Sequence, residues 1–170
     1  EAILGVYPIE AGEILLEETN INNLSTRERR ERGLSFIPED RQSQGMLMDV
    51  SLAENVILGK QSSTKYKSKY SNIKFNEAST NSNIVIENFD VRTPSNETLA
   101  LALSGGNQQK FVVGREIENK PSLLIASLPT RGIDIGAQSL IWNKLRDARD
   151  EGLGVLLISA DLDELIGLSD

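Results

Sequence analysis

The clearest hydropathy pattern lies in the last third of the chain, where two short apolar runs flank a longer stretch of mixed character. The runs at 123–126 and 154–158 contain no charged residue, and such runs are typical of strands buried in a parallel sheet. The intervening stretch, at about 136–149, has the length and pattern of a helix. This order predicts a β-α-β unit, and therefore a parallel sheet with a right-handed crossover.

Weaker patterns predict elements upstream. Residues 33–38 alternate as a short, partly buried strand. Ser51 and Glu54 have the spacing of a capping box, which predicts that a helix begins there. Thr26 is expected to cap a short charged helix. Residues 1–8 look like the last turns of a helix, and residues 9–16 like a turn followed by a strand.

Three polar stretches are predicted to be irregular. Residues 76–86 are rich in Asn and Ser, which favours a turn or frayed connection, and residues 91–98 form a loop around Pro94. Residues 60–74 hold five lysines among serines and tyrosines. This composition is more typical of a solvated helix or loop than of a specific binding patch.

Composition excludes several kinds of chemistry. The 170 residues are 39 % hydrophobic, enough for one domain with a core. A net charge of −7 argues against a nucleic-acid partner, because phosphate backbones recruit Lys and Arg. The chain has no Cys and no His, so disulfides, thiolate chemistry and the usual zinc ligands are excluded. We therefore expect no metal held by Cys or His. In addition, no apolar run approaches the roughly 20 residues of a membrane-spanning helix.

The most informative local motif is a small polar loop that leads into a helical pattern. Residues 103–110 read Leu-Ser-Gly-Gly-Asn-Gln-Gln-Lys, and the helical pattern follows at 111–117. Adjacent glycines let a backbone approach a ligand closely, and a helix N-terminus offers unpaired N–H groups to an anion. The alternative is that Ser104 simply caps an ordinary helix, which Ser often does.

These eight residues resemble the signature motif of ABC ATPases, in the variant found in importers of simple sugars and nucleosides. The apolar run at 121–127 and the Leu-Pro-Thr-Arg-Gly-Ile-Asp that follows it are similar in position to the Walker B and D-loop region of that family. The resemblance extends over residues 1–170. It implies an α/β fold: a P-loop NTPase-like ABC ATPase core with a parallel sheet and an inserted helical subdomain at about 51–103.

The resemblance also implies roles for particular residues. Ser104, Gly105, Gly106 and Gln108 would bind nucleotide held by a partner domain, because the signature loop acts across a dimer. Asp134 lies at the D-loop position and would cross the dimer interface. Its alternative role is to cap the helix that starts near residue 136, and the two roles are compatible.

Glu39 takes the position of the Q-loop glutamine. A carboxylate can bind a magnesium-held water but cannot donate a hydrogen bond, so the exchange is not neutral. The alternative for Glu39 and its neighbours is a solvated turn after a strand.

Three positions depart from the catalytic pattern of the family. Ser127 and Leu128 stand where the Walker B aspartate and the catalytic glutamate are expected, and Ala160 stands at the position of the switch histidine. Leu128 cannot accept a proton, so the general-base role is lost. No segment has the form G-x-x-x-x-G-K-[ST]. We therefore expect a partial nucleotide-binding domain without its phosphate-binding loop and without catalytic residues of its own.

The resemblance implies an ABC-type ATPase that energises uptake of a nucleoside or simple sugar. This chain would be the degenerate second half of a two-cassette subunit, closer to the nucleoside branch, and would donate its signature loop to a site elsewhere. ATP and Mg²⁺ would be bound mainly by the partner half. The partners would be the first ATPase domain or a second copy, membrane-spanning permeases and a substrate-binding lipoprotein, at the cytoplasmic face of the membrane.

Two other functions remain open from the sequence. The first is a non-catalytic scaffold domain that holds the membrane partner and hydrolyses nothing. The second is a soluble ABC protein of DNA repair or translation, which the acidic charge and the importer-like signature disfavour.

Overall fold

A three-stranded parallel sheet organises the molecule. The computed structural model describes residues 1–68 and 72–169. Strand β3 (Leu34–Ile37) pairs with β4 (Leu123–Ser127), which pairs with β5 (Gly154–Ile158). Helix α5 (Ile135–Asp150) connects β4 to β5. The predicted β-α-β unit and parallel sheet are confirmed, and the predicted strand at 33–38 is β3.

The remaining elements precede β4 or follow β5. A short antiparallel pair at the N-terminal end is followed by α1, and a π-helical segment follows β3. Two helices and a 3-10 turn lie between that segment and α4, and α6 follows β5. Their bounds are β1 Leu15–Leu16, β2 Thr19–Asn20, α1 Thr26–Glu31, the π-helical segment Arg41–Gly45, α2 Leu52–Asn55, α3 Phe75–Asn88, the 3-10 turn Ala100–Ala102, α4 Gly105–Glu118 and α6 Leu162–Leu168. In the part of the chain that the structure describes, no helix has the length and apolarity to cross a bilayer.

The two faces of the sheet are covered to different extents. Alternate residues of β3 and β4 point to a large core that α3, α4 and α5 complete, and the others point to a smaller core built from residues 3–24. The smaller core does not reach β5, so Leu156 and Ile158 remain 39 % and 51 % exposed. On the other face, Val155 and Leu157 are only half-buried. The prediction that β5 is a buried strand was therefore wrong.

Helix α3 shows that tertiary packing overrides composition. Residues 76–86 were expected to form a turn, yet 75–88 form a continuous helix. Ala78, Ser82 and Val85 lie at helical spacing and are buried, where α3 contacts α2 and α4. Packing of one face supplies what the Asn- and Ser-rich sequence lacks in helix propensity.

The predicted capping box of α2 is confirmed, but two other N-terminal predictions were wrong in detail. Ser25, not Thr26, caps α1, because its hydroxyl and the carboxylate of Glu28 exchange hydrogen bonds with each other's backbone N–H. Residues 1–7 form hydrogen-bonded turns instead of a helix. These turns are held by Arg29, which is 1 % exposed and donates to the carbonyls of Ala2, Ile3, Asn22 and Leu24.

Helix α4 is anchored at its C-terminal half by a buried ion network. Glu116 is fully buried and pairs with Arg30 at 3.0 Å and with Arg115 at 2.9 Å. Arg115 also donates to the carbonyl oxygens of Gly45 at 2.8 Å and Asn55 at 3.3 Å. The network joins α4 to α1, to α2 and to the end of the π-helical segment, and so fixes the direction in which α4 presents its N-terminus.

Candidate functional site

The residues of the signature-like loop lie at the N-terminal end of α4. Ser104 caps the helix: its hydroxyl accepts from the backbone N of Asn107 at 3.5 Å and from Asn107 Nδ2 at 3.0 Å. The first N–H groups of a helix have no partner within the helix, and here they belong to Gly105 and Gly106. Ser104 is exposed and both glycines are half-buried. The capping role is therefore confirmed, and the open helix end has the form of an anion site.

The loop borders a cleft of about 280 Å³ that contains both signs of charge. Lys110 Nζ lies 2.8 Å from Asp90 Oδ2, and this bond lowers the pKa of Asp90. Asp134 caps α5 by accepting from the backbone N of Ala137 at 2.9 Å, which lowers the pKa of Asp134. The alternative role of Asp134 as a helix cap is thus confirmed, and the structure brings it beside the loop.

Asp134 also limits what the loop can contain. A Cβ added to Gly106 would lie 3.2 Å from Asp134 Oδ2 and 3.4 Å from Ala137 Cβ. A side chain at position 106 would therefore require the Asp134 carboxylate to shift by a few tenths of an ångström. The second glycine of the motif has a packing reason here in addition to any approach to a ligand.

Gln108 lies behind the loop and not on its open side. Its side chain is 2 % exposed, and its Nε2 donates to the carbonyls of Ala100 at 3.1 Å and Leu103 at 3.2 Å. Its Oε1 accepts from Gln42 Nε2 at 3.2 Å. All of these partners belong to the chain itself, so contact between this side chain and a nucleotide stays a prediction.

The three positions that depart from the catalytic pattern lie at the carboxyl ends of neighbouring strands. Ser127 pairs with Ile158 across β4 and β5, and the backbone N of Leu128 donates to the Ile158 carbonyl at 2.8 Å. Leu128 and Ala160 line the same cleft, of about 710 Å³. Ligands of parallel sheets bind at such an edge, but these three side chains offer neither a carboxylate nor an imidazole.

Glu39 lines this second cleft, which we call the strand-end cleft, and the carboxylate of Glu39 is already paired. Arg131 Nη1 donates to Glu39 Oε1. Arg131 in turn accepts, through its carbonyl, a 3.0 Å bond from Arg41 Nη1. A Cβ on Gly105 would lie 2.6 Å from Arg41 Nη2, so Arg41 bridges the strand-end cleft and the signature-like loop.

A buried carboxylate also lines the strand-end cleft, but it has a structural set of partners. Glu164 is 1 % exposed and accepts from Thr130 Oγ1 at 2.5 Å and from Trp142 Nε1 at 3.3 Å. These bonds tie the loop after β4 to α5 and α6. Among the described residues, no group of three or more acidic or histidine side chains has a metal-binding arrangement.

No role was assigned from the sequence to Arg41, Gln42 or Arg131, which connect the residues after β3 to α4 and to the loop after β4. Their partners lie 90, 66 and 92 residues away along the chain. No local spacing carries that information. The one local hint is that Arg41 and Gln42 lie close to Glu39, and that Arg131 lies within the Leu-Pro-Thr-Arg-Gly-Ile-Asp stretch.

Comparisons with known proteins place the chain in a family. The sequence model of the family described as "ABC transporter" matches residues 1–131. The chain is 42 % identical to the guanosine import ATP-binding protein NupO of Bacillus subtilis and 41 % identical to the nucleoside import ATP-binding protein NupA of Lactococcus lactis, with all of this chain covered in both cases. It is 37 % identical, over 99 % of its length, to the ribose import ATP-binding protein RbsA 1 of Rubrobacter xylanophilus. The chain spans about a third of the length of each of these relatives.

Solved structures agree on the fold. A nucleotide-free ATP-binding cassette from an ABC transporter aligns with a TM-score of 0.77 at 20 % identity, over 98 % of this chain and 66 % of that one. A dimeric cassette in a post-hydrolysis state, bound to ADP and Pi, aligns with a TM-score of 0.74 at 18 % identity, over 95 % of this chain and 68 % of that one. The predicted ABC ATPase architecture is confirmed, and with the match of the family model it leads to one conclusion: this chain belongs to the ABC transporter family.

Proposed function

We propose that this chain is an ATP-binding component of an importer for nucleosides or simple sugars, and that it donates its signature loop, residues 103–110, to an ATP site on a partner ATPase domain. The relatives named above are import ATP-binding proteins, and the two with the higher identities are named for guanosine and nucleosides. This favours a nucleoside as the transported molecule.

The observation that carries the proposal is the open N-terminus of α4. Ser104 is exposed, and the N–H groups of Gly105 and Gly106 begin a helix of 14 residues. Such an end stabilises negative charge through its unpaired N–H groups and the helix dipole. In the partner's site it would stabilise the charge that develops on the γ-phosphoryl group as water attacks.

The strand-end cleft does not fit a magnesium ion. Mg²⁺ prefers carboxylate oxygens, but Ser127 and Leu128 supply none. The three carboxylates that line the cleft are engaged within the chain: Glu39 pairs with Arg131, Asp161 caps α6, and Glu164 accepts from Thr130 and Trp142. We therefore assign the metal, the phosphate-binding loop and the general base to the partner domain. In this chain, Asp134 would meet the partner across the interface while it caps α5.

The proposed assembly sits at the cytoplasmic face of the membrane. Its partners are a first ATPase domain or a second copy of this chain, the permease subunits and a substrate-binding lipoprotein. The segment at about 51–103, which holds α2 and α3, is proposed as the helical subdomain that faces the permease. Residues 69–71 of this segment, and with them part of the lysine-rich stretch, lie outside the described residues.

Substitution Ser104→Arg tests the proposal. In the polypeptide that carries this chain, assembled with its permease, we expect steady-state ATP hydrolysis and uptake to fall by about 100-fold or more, because a bulky cation would occupy the position of the phosphate. Hydrolysis is measured with purified complex in lipid, and uptake with labelled nucleoside.

Two controls separate the site from the fold. Ser104→Ala removes the same helix cap, at a cost of about 1 kcal/mol, without the bulk, and should retain clearly more activity than Ser104→Arg. Leu128→Ala, at the strand ends, should leave hydrolysis within about twofold. Unchanged hydrolysis in Ser104→Arg would mean that the loop is only a helix cap, and it would favour the scaffold function instead.

A further inference from the structure

One face of α4 lies along the π-helical segment Arg41–Gly45. Positions 105, 108, 112 and 115 of α4 are separated by steps of three and four residues, and therefore share one side of the helix. Each meets the segment: Gly105 lies against Arg41, Gln108 bonds to Gln42, and Val112 and Arg115 meet Gly45. We call these four positions the segment-facing side of α4.

The contacts along this side differ in kind. Near residue 115 the attachment is buried and charged, with Arg115 Nη1 at 2.8 Å from the Gly45 carbonyl. At Val112, a Cβ on Gly45 would lie 3.5 Å from Cγ2, which is ordinary contact. At the end next to the loop, a single 3.2 Å hydrogen bond joins the amides of Gln42 and Gln108.

The amide of Gln108 makes this last contact informative. Its two N–H groups are used by the carbonyls of Ala100 and Leu103, which precede Ser104. Its oxygen accepts from Gln42, which follows Glu39 by three residues. One buried amide thus connects the residues on both sides of Ser104 to the segment that follows Glu39.

We propose that Gln42 and Gln108 are positioning residues: their hydrogen bond holds the first turn of α4, and so the amides of the signature loop, in register with the segment 41–45. A shift of that segment is passed to the loop through this bond, and through the Arg41 guanidinium against Gly105. Gln108 then acts from behind the loop and does not touch nucleotide. The inference rests on the proposed function of the loop.

The test uses the substitution Gln42→Ala. The side chain of Gln42 is exposed, so its removal leaves the core intact. Because one hydrogen bond is lost, we expect the first-order rate constant of single-turnover ATP hydrolysis to fall about fivefold. This constant does not depend on how much of the protein is correctly folded, so a purely structural defect would not change it. The concentration of ATP that half-saturates the rate should change less than twofold, since the partner domain holds most of the nucleotide.

Gln44→Ala is the matched control. Gln44 is an exposed glutamine of the same segment, and no side-chain hydrogen bond joins it to another described residue. Its replacement should leave the rate constant unchanged. Gln108→Met, of similar size and without the amide, should lower the constant at least as much as Gln42→Ala, and adding Gln42→Ala to it should have no further effect.

The outcomes distinguish the two proposals. If Ser104→Arg abolishes hydrolysis while Gln42→Ala equals Gln44→Ala, the positioning role is overturned and the donation of the loop stands. Additive losses in the double variant Gln42→Ala, Gln108→Met would also overturn it, because the two residues would then act independently. If Ser104→Arg has no effect, both proposals fail.

Discussion

The N-terminal end of α4 and the carboxyl ends of β4 and β5 are two candidate ligand sites built in different ways. The first is made of backbone: a capped helix start, two glycines and a serine hydroxyl. The second depends on side chains, and at Ser127, Leu128 and Ala160 those side chains lack the acid, base and imidazole that the chemistry requires. A site made of backbone groups keeps its N–H donors as long as its glycines and its helix are retained.

The supports of the two sites differ as well. The helix start belongs to α4, whose C-terminal half is anchored by the buried network of Arg115, Glu116 and Arg30. Behind the strand ends, Glu164 ties the loop after β4 to two helices through Thr130 and Trp142. Both supports are conventional structural devices, but only the first belongs to the helix whose N-terminal loop we propose to be functional. The comparison predicts that damage to each support has different consequences.

Arg115→Met should have the largest effect on stability. It leaves the fully buried Glu116 with Arg30 as its remaining cation and removes the bonds to Gly45 and Asn55. Loss of one partner from a buried ion pair costs about 3 kcal/mol, which urea unfolding followed by circular dichroism would measure. The exposed pair of Arg27 with Glu31 is the control: Arg27→Ala should cost no more than about 0.5 kcal/mol. Equal losses would show that the network does not anchor α4.

Glu164→Ala should have an intermediate effect, limited to stability. It leaves the Trp142 and Thr130 donors without their acceptor, at a cost of about 1–2 kcal/mol. Glu164→Gln keeps an acceptor oxygen and should cost less. Because the strand ends carry no catalytic role in our proposal, the single-turnover rate constant of the assembled complex should stay within about twofold. A large fall in that constant would place catalysis at the strand ends and reverse the comparison.

Asp134→Asn should have the smallest effect, and one that depends on pH. The bond from the Ala137 N–H lowers the pKa of Asp134 below its ordinary value of 3.8, so the folded state favours the carboxylate. This contribution is present above pH 4 and is lost as the pH falls through the lowered pKa. The wild type should exceed the variant by at most about 2 °C in melting temperature at pH 7, and the gap should close once the pH falls below the lowered pKa of Asp134. A gap that persists in acid would contradict this assignment.

The sequence predicted the elements whose signals are local. The apolar runs gave β4 and β5, the mixed stretch gave α5, and the Ser-x-x-Glu spacing gave the start of α2. Helix α3 was missed because its stability comes from one face packed on α2 and α4, not from its own residues. The exposure of β5 was missed because an apolar run does not reveal whether a second layer covers the strand.

In the candidate site too, the features with local signals were predictable from the sequence, and those that depend on distant partners were not. The loop at 103–110 was predictable because glycines beside a helix start are a local pattern with a local physical meaning. The arginines and the glutamine that surround it were not, since Arg41, Gln42 and Arg131 meet partners 66 to 92 residues distant. Gln108 was correctly placed in the motif, but its burial depends on the segment that follows β3, which no spacing within the motif encodes.

Arg29 holds the N-terminal turns without a carboxylate partner among the described residues. Its guanidinium is satisfied by four backbone carbonyls, which carry no proton to gain and no charge for salt to screen. The cap of α5 depends on the carboxylate of Asp134, whose lowered pKa means that this contact weakens only in acid. Acid should therefore loosen the molecule unevenly: the start of α5 weakens first, while the turns around Arg29 keep their native hydrogen bonds.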